Sequence, residues 1–338
     1  MNGPRFPDMA ADFKAFRVHL ENDRIVARLE RIRLDELTPG EVVIRGAWSG
    51  INYKDALAAT GKGRILRRFP LVAGVDISGT VETSSDPRFR HGDPVVVIGS
   101  GLSESTDGGF TQFARVRADA VQPLPAGLDL RAAMAIGTAG FTAALALHRM
   151  EQLDQRPALG PIAVTGATGG VGSVTIDIFS GRGYDVTALT HKAEATDYLR
   201  SLGAADVQVL SGMSLGNRPL EKALWGGAVD SLGGDVLAWL TRTTVPFGTI
   251  ASIGLAAGAQ LATTVMPFIL RGVSLLGINS NEIPHDLRLA IWRRLGTDLR
   301  PSRLDRIVRC EVALDDLPGC FEEYIAGRIT GRTLVRLD

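Results

Sequence analysis

Cysteine is almost missing from these 338 residues: Cys310 and Cys320 are the only two, ten positions apart. Two thiols cannot build a four-thiolate zinc site, and they offer no disulfide framework. Histidine is sparse as well. His19, His91, His148, His191 and His285 lie scattered with no H-x-x-x-H or similar pairing, so no metal site is expected. Net charge is lacking too: 37 Lys and Arg balance 37 Asp and Glu, no global field attracts a polyanion, and nucleic acid is not an expected partner. No apolar run reaches the roughly 18 residues of a membrane span and no signal-peptide pattern opens the chain, which leaves the cytoplasm as the expected location without a membrane partner.

What is abundant is glycine, 39 residues of it, in a chain that is 45% hydrophobic and too long for one ordinary core. Two domains are expected. The densest glycine stretch is Ile162-Ala163-Val164-Thr165-Gly166-Ala167-Thr168-Gly169-Gly170-Val171-Gly172-Ser173. A short apolar run enters a tight turn, and Val171, Val174, Ile178 and Phe179 then recur at helical spacing. Without side chains, backbone N–H groups at a helix start can approach a pyrophosphate. Aligned to G-x-G-x-x-G, the segment is Ala167 to Gly172, with Ala167 at the first glycine position. Alone such a motif also suits a plain turn, but strand, helix and a second strand at the right distance make it the first unit of a dinucleotide-binding domain.

That second strand, Val186 to Leu189, ends in Thr190-His191-Lys192, with no carboxylate before Glu194. An NAD-specific domain places an acid there for the ribose 2′-hydroxyl. Thr190 and Lys192 offer a hydroxyl and an ammonium instead, which predicts NADPH.

Residues 1–12 read as a mobile extension. Strands are predicted at Phe16–Leu20, Ile25–Leu29, Glu41–Trp48, Gly79–Glu82 and Pro94–Ile98, so the first ~120 residues form a strand-rich, partly barrel-like domain. Leu130 to Met150 is helical, interrupted at Gly137–Gly140. Beyond Ile162, strands (186–189, 207–210, 228–231, 248–253, 273–277) alternate with helices (193–202, 235–241). This is the pattern of an α/β, Rossmann-type, doubly wound parallel sheet. A helix over 282–295 and strands over 306–312 and 332–337 follow, the last returning to the first domain. The predicted boundaries are 1–136 with 281–338 for one domain and 137–280 for the other.

With these elements laid out, the chain resembles the medium-chain dehydrogenase/reductase superfamily over nearly its whole length. The resemblance rests on Asn52-Tyr53-Lys54-Asp55, Gly61-Lys62-Gly63, Pro70 to Asp76 with Gly79-Thr80-Val81, Gly137 to Thr142 and the glycine stretch. Thr263 to Val273 and Gly331 to Val335 narrow it to the zinc-free, quinone-oxidoreductase-like branch, near the bacterial acryloyl-CoA reductases. Zinc-dependent members carry a cysteine where Asn52 stands and Gly-His-Glu where this chain has Gly74-Val75-Asp76. Without that Lewis acid, reduction of an activated C=C is favoured over alcohol oxidation.

The resemblance implies a catalytic, GroES-like first domain, with Tyr53, Asn52 and Arg332 as candidate catalytic residues and Tyr53 bordering the cofactor. It implies that Thr168, Gly169, Gly170 and Val171 hold the pyrophosphate, and that Leu255, Ile269 and Ser280 line the nicotinamide and its ribose. Relatives have an arginine near the adenine end where Ala205-Asp206 stands, so the chain departs from the family pattern there. The expected substrate is a small molecule, an α,β-unsaturated acyl-CoA such as acryloyl-CoA, whose phosphates the basic loop Lys62, Arg64, Arg67 and Arg68 would grip. Two other readings are an NADPH:quinone or enone reductase and a non-catalytic NADPH-binding sensor. Relatives commonly dimerise, and a homodimer through strand 273–277 is expected.

Overall fold

The computed structural model describes residues 12–338. The extension predicted over residues 1–12 therefore lies outside the described residues, except for Asp12. The chain opens with β1 (Phe13–Glu21) and β2 (Arg24–Ile32), a hairpin whose turn residues Asn22 and Asp23 take the left-handed conformation, with φ of 49° and 61°. Asn and Asp tolerate that region better than other side chains. Next come β3 (Val42–Gly50), α1 (Tyr53–Thr60), β4 (Leu71–Val72), β5 (Asp76–Ser84), β6 (Pro94–Ile98), β7 (Phe113–Val116) and β8 (Gln122–Pro123). After α2 (Leu130–Glu151) the elements alternate: β9 (Ile162–Thr165), α3 (Gly170–Gly181), β10 (Val186–Thr190), α4 (Thr196–Ser201), β11 (Asp206–Val209) and β12 (Trp225–Asp230). They continue with α5 (Gly234–Thr243), β13 (Thr244–Ser252), α6 (Met266–Arg271) and β14 (Ser274–Gly277). The last elements are α7 (His285–Leu295), α8 (Leu304–Ile307), β15 (Val308–Ala313), α9 (Leu317–Ile325) and β16 (Arg332–Arg336).

These elements form two compact units. One holds the chain up to Thr138 with Asn281–Leu289 and Val308–Asp338, and the other holds Ala139–Ser280 with Ala290–Ile307. In the first, a seven-stranded sheet runs β15-β16-β3-β5-β6-β8 with β7 also on β3, and a smaller sheet runs β2-β1-β4. The pairs around β3, β5 and β6 are antiparallel, and β16 joins β3 antiparallel with Leu334 opposite Gly50. Alternating inward residues of these strands, among them Val42, Ile44, Ile77, Val95 and Val97, meet Phe110, Leu317 and Phe321 in one core. Buried aliphatic and aromatic side chains of this kind contribute about 1.5 to 3 kcal/mol each, which is what holds a strand-rich unit of dispersed segments together.

The second unit is a six-stranded parallel sheet in the order β11-β10-β9-β12-β13-β14, the doubly wound arrangement the sequence predicts. The order reverses between β9 and β12, so a crevice opens at the carboxyl ends of those two strands. β9, β10 and β12 are buried along their whole length, as central strands covered on both faces must be.

The structure departs from the predicted elements at several points. Residues 282–284 are not helical, because Ile283 precedes Pro284 and is pushed away from the α region; α7 starts at His285. The segment 290–307 belongs to the second unit, whereas the sequence assigns it to the first. Its apolar residues Ile291, Trp292 and Leu295 are buried, and Trp292 lies 5.7 Å from Phe141. The strand predicted from 306 begins at Val308, after the short α8. Residues 193–195 form one 3-10 turn before α4 rather than a continuous helix. α2 is by length and composition apolar enough to cross a bilayer, but 78% of its most apolar window is buried in protein, as in a core helix.

Candidate functional site

In the first unit the candidate residues converge on the turn between β3 and α1. Asn52 sits at the N-cap in an extended conformation, Asp55 accepts the Asn52 N–H at 2.8 Å, and Gly61 closes the helix in the left-handed region. This is the capping chemistry that Asn at the cap and Asp three residues on would favour. Tyr53 opens the helix and is 48% exposed, with its ring on the surface of its unit. The Asp55 carboxylate also accepts the Val75 N–H at 3.0 Å, which ties α1 to the entry of β5.

Below the turn is a buried polar cluster. The Arg332 side chain, 2% exposed, donates to the Ile51 carbonyl at 3.1 Å, the Asn52 Oδ1 at 3.0 Å and the Met134 carbonyl at 3.2 Å. Its Nη2 lies 3.7 Å from Asp76 Oδ2. Asp76, fully buried, accepts hydrogen bonds from Asn52 Nδ2 at 2.9 Å, from the Thr138 N–H at 2.9 Å and from the Thr138 hydroxyl. With a donor-only guanidinium on one side and an acceptor-only carboxylate on the other, the orientation of the Asn52 amide is fixed. Two glycines make room: a Cβ at Gly50 or at Gly137 would lie 2.5 Å from Arg332 Nη2, and Gly137 has a left-handed φ of 50° where α2 is interrupted.

The sequence points to Arg332 as a group that faces cofactor or substrate. In the structure its Nη donors go to backbone carbonyls and to Asn52, inside the protein. Asp76, Asp55 and Thr138 lie within the motifs that carry the resemblance, but nothing in the sequence assigns them to the site. The close approach of Gly50 and Gly137 to Arg332, and of Gly137 to Asp76, shows only once the strands are placed. Nearby, Glu104 is buried and takes an ion pair from Lys54, a hydrogen bond from Asn281 Nδ2 at 3.1 Å and the more distant Arg67 at 3.9 Å. Lys62, Arg64 and Arg68 on the same loop are exposed.

Burial, with the negative charge of Asp76 as a lesser contributor, pushes the Asp55 carboxyl up from 3.8 to about 7, against the pull of the two N–H groups it accepts. The folded protein therefore keeps a proton that the unfolded chain gives up near 3.8. Stability falls as pH rises between those two values, by up to about 4 kcal/mol at 1.36 per unit. Asp55→Asn removes this titration. Chemical denaturation at pH 5 and pH 8 is expected to show a smaller loss of stability for the variant than for the wild type, and parallel losses would mean that Asp55 is ionised throughout.

In the second unit the glycine turn lies at the carboxyl end of β9. Gly166, with φ of 57°, makes the tight bend, so the bend falls one residue before the position that the alignment assigns to the first glycine. Gly169 is the N-cap of α3, and no side chain caps that helix end. A Cβ at Gly172 would lie 2.5 Å from the Gly166 carbonyl, so the third glycine is needed for helix and strand to close up. Asp230, at the end of β12, accepts the Thr165 hydroxyl at 2.7 Å and the Gly233 N–H at 2.8 Å, which fixes the facing rim of the crevice. Burial raises its pKa. Ser231, next to it, has a buried hydroxyl with no partner.

Thr168, Gly169, Gly170 and Val171 are thus together at an uncapped helix start. Leu255 follows β13 on a loop that rests on the Ser231 backbone, and it is 67% exposed. Ser280 accepts the Thr142 hydroxyl at 2.8 Å. Ile269, on α6, is 71% exposed. The β10 turn carries Thr190, whose hydroxyl accepts the Lys192 N–H at 3.0 Å, and His191, whose Nδ1 is 3.4 Å from Ser211 Oγ. Partial burial lowers the pKa of Lys192. Asp206 pairs with Thr187, at the opposite end of β10 from Thr190 and about 10 Å away at 3.3 Å per residue. Its carboxylate takes the Gln208 amide at 2.8 Å. An uncapped helix start, a turn cleared of side chains, a buried hydroxyl without a partner and a basic β10 turn together fit a phosphorylated dinucleotide.

A family profile, the alcohol dehydrogenase GroES-like domain, matches residues 38–126. The chain is 44% identical to the acrylyl-CoA reductase AcuI of Ruegeria pomeroyi, over 94% of this chain and 96% of that one. It is also 44% identical to YhfP of Bacillus subtilis, which carries a quinone-oxidoreductase name, over 97% of this chain and all of that one. The chain belongs to the medium-chain dehydrogenase/reductase superfamily. Within that superfamily it lies in the zinc-free, quinone-oxidoreductase-like group near AcuI. YhfP solved with NAD superposes with a TM-score of 0.94, covering 97% of this chain and all of the other. The yhdH oxidoreductase of Salmonella enterica, solved with NADP, superposes with a TM-score of 0.93 at 42% identity, over 96% of this chain and all of the other. Asn52, Asp76 and Arg332 are joined to one another. Among the described residues no group of three His, Cys, Asp or Glu side chains is arranged to hold a metal ion.

Proposed function

We propose that this oxidoreductase reduces the C=C bond of a small α,β-unsaturated acyl-CoA such as acryloyl-CoA with NADPH. The observation that carries the reading is the exposed Tyr53 hydroxyl, on a turn held by Asn52, in a chain whose relative AcuI bears an acrylyl-CoA reductase name. Bound NADPH supplies a hydride, which goes to Cβ of the thioester, while a proton goes to Cα. Negative charge gathers on the carbonyl oxygen during the reaction, and Tyr53 is the group that donates to it or to Cα. Thr168 to Val171 hold the pyrophosphate, Lys192 and Thr190 with His191 hold the 2′-phosphate, and Leu255, Ser280 and Ile269 line the nicotinamide end. The enzyme acts as a homodimer through the β14 edge, with the exposed Phe247 and Leu270 nearby as the surface to be covered.

The name carried by YhfP favours a second reading, reduction of quinones or enones on the same scaffold. The two differ in whether the protein reads CoA. NADPH oxidation followed with acryloyl-CoA, crotonyl-CoA and a benzoquinone separates them, and no turnover with any would leave a non-catalytic NADPH-binding protein. Replacing Lys62, Arg64 and Arg68 together by alanine removes three exposed charges worth about 0.5 kcal/mol each. The KM for acryloyl-CoA is expected to rise roughly tenfold. The KM for benzoquinone should stay as it is, and an equal change in both would deny the loop any part in reading CoA phosphates.

A further inference from the structure

Two glycines, a buried arginine and a buried aspartate are an expensive way to build a turn. An ion taken out of water costs several kcal/mol, and here the guanidinium and carboxylate approach only to 3.7 Å, with Arg332 Nε left without a partner. As a device for stability alone, apolar side chains of similar volume would serve as well or better. What the pair does that apolar residues could not is grip Asn52 by both ends of its amide: Arg332 donates to Oδ1 and Asp76 accepts from Nδ2. The same guanidinium holds the Ile51 carbonyl just before the turn, and the same carboxylate holds Thr138, where α2 leaves its kink.

We infer that Asp76 and Arg332, with Thr138 as a third arm, are positioning residues that fix the Asn52–Tyr53 turn in one orientation through the Asn52 amide. The charge pair thereby locks the turn between β3 and α1 to the start of β5. The inference rests on the reading of Tyr53 as a donor, since the orientation of the turn matters only if that side chain has a task. Small errors in placing a reacting group cost up to about a hundredfold in rate.

Asp76→Asn and Arg332→Met each leave one buried charge unpaired and are expected to lower both Tm and kcat. The decisive variant is the double Asp76→Leu/Arg332→Met, in which neither charge remains. Its Tm is expected to recover most of the loss, while kcat stays roughly ten- to a hundredfold below wild type. NADPH affinity, read by fluorescence titration, is expected to match wild type throughout. Recovery of kcat along with Tm would overturn the inference, because the pair would then be a structural contact only. If the double variant does not fold, Thr138→Val serves: kcat lowered several-fold at unchanged NADPH affinity supports the inference, and wild-type kcat overturns it. All rates are taken with whichever acceptor the wild type turns over, and Tyr53→Phe is run beside them. A silent Tyr53→Phe removes the donor reading, independently of how Tm and kcat divide in the double variant.

Discussion

Tyr53→Phe is expected to lower kcat by roughly ten- to a thousandfold, with little change in the affinity for NADPH. The hydroxyl is the only atom removed, and in the resting protein it is on an exposed ring, so neither the core nor the glycine turn should notice its loss. The bond it forms strengthens only as charge develops on the acceptor, so the loss belongs to the chemical step rather than to binding. Single-turnover kinetics under saturating NADPH isolate that step. An unchanged rate there would reduce Tyr53 to a packing residue. A variant that lost NADPH affinity as well would point to a contact with the cofactor rather than with the acceptor.

Lys192→Ala is expected to raise KM for NADPH by about ten- to more than a hundredfold while leaving the weak use of NADH nearly unaltered. A hydrogen bond to a charged group contributes roughly 1.5 to 3 kcal/mol, which converts to that range. The geometry adds a reason for the upper half. Lys192 is already partly shielded from water, and its pKa is lowered by that burial, so a phosphate brought beside it meets an ammonium that lacks full hydration. The Thr190 hydroxyl accepts the Lys192 N–H and keeps its own hydrogen to donate. The steady-state parameters of wild type and variant with both cofactors decide the matter. Wild-type protein that used NADH as well as NADPH, as the NAD-bound structure of YhfP makes worth testing, would remove the 2′-phosphate site from the β10 turn.

The second unit was legible in the sequence because its devices are local. Only glycine permits the bend at Gly166 and the close approach at Gly172, and buried parallel strands must read as continuous apolar runs, as Ile162 to Thr165 and Val186 to Thr190 do. The bend itself is made by Gly166, the residue before the aligned motif. The turn around Asn52 carries a local signal as well, Asn at the cap and Asp three residues on. The cluster beneath it was not legible, since Asn52, Asp76, Thr138 and Arg332 are brought together by pairings of β3 with β5 and β16 across as many as 280 positions. Nothing in the neighbourhood of Arg332 in the chain shows that it will be buried. The transfer of 290–307 to the second unit was hidden for the same reason: the apolar face of α7 says that it packs, and not on what.

The return of β16 to β3 has a consequence for the order in which the molecule takes shape during synthesis. The second unit has all its strands once the chain has been made as far as β14, and its last segment, Ala290–Ile307, follows soon after. The first unit, although its segment up to Thr138 leaves the ribosome earliest, waits for residues 332–336 before β3 gains its outer neighbour and the guanidinium arrives under Asn52. Domains usually fold in the order they are made. Here the nucleotide-binding unit can be complete while the Tyr53 turn is still unanchored, so the nascent chain acquires a place for its cofactor before it acquires the means to use it.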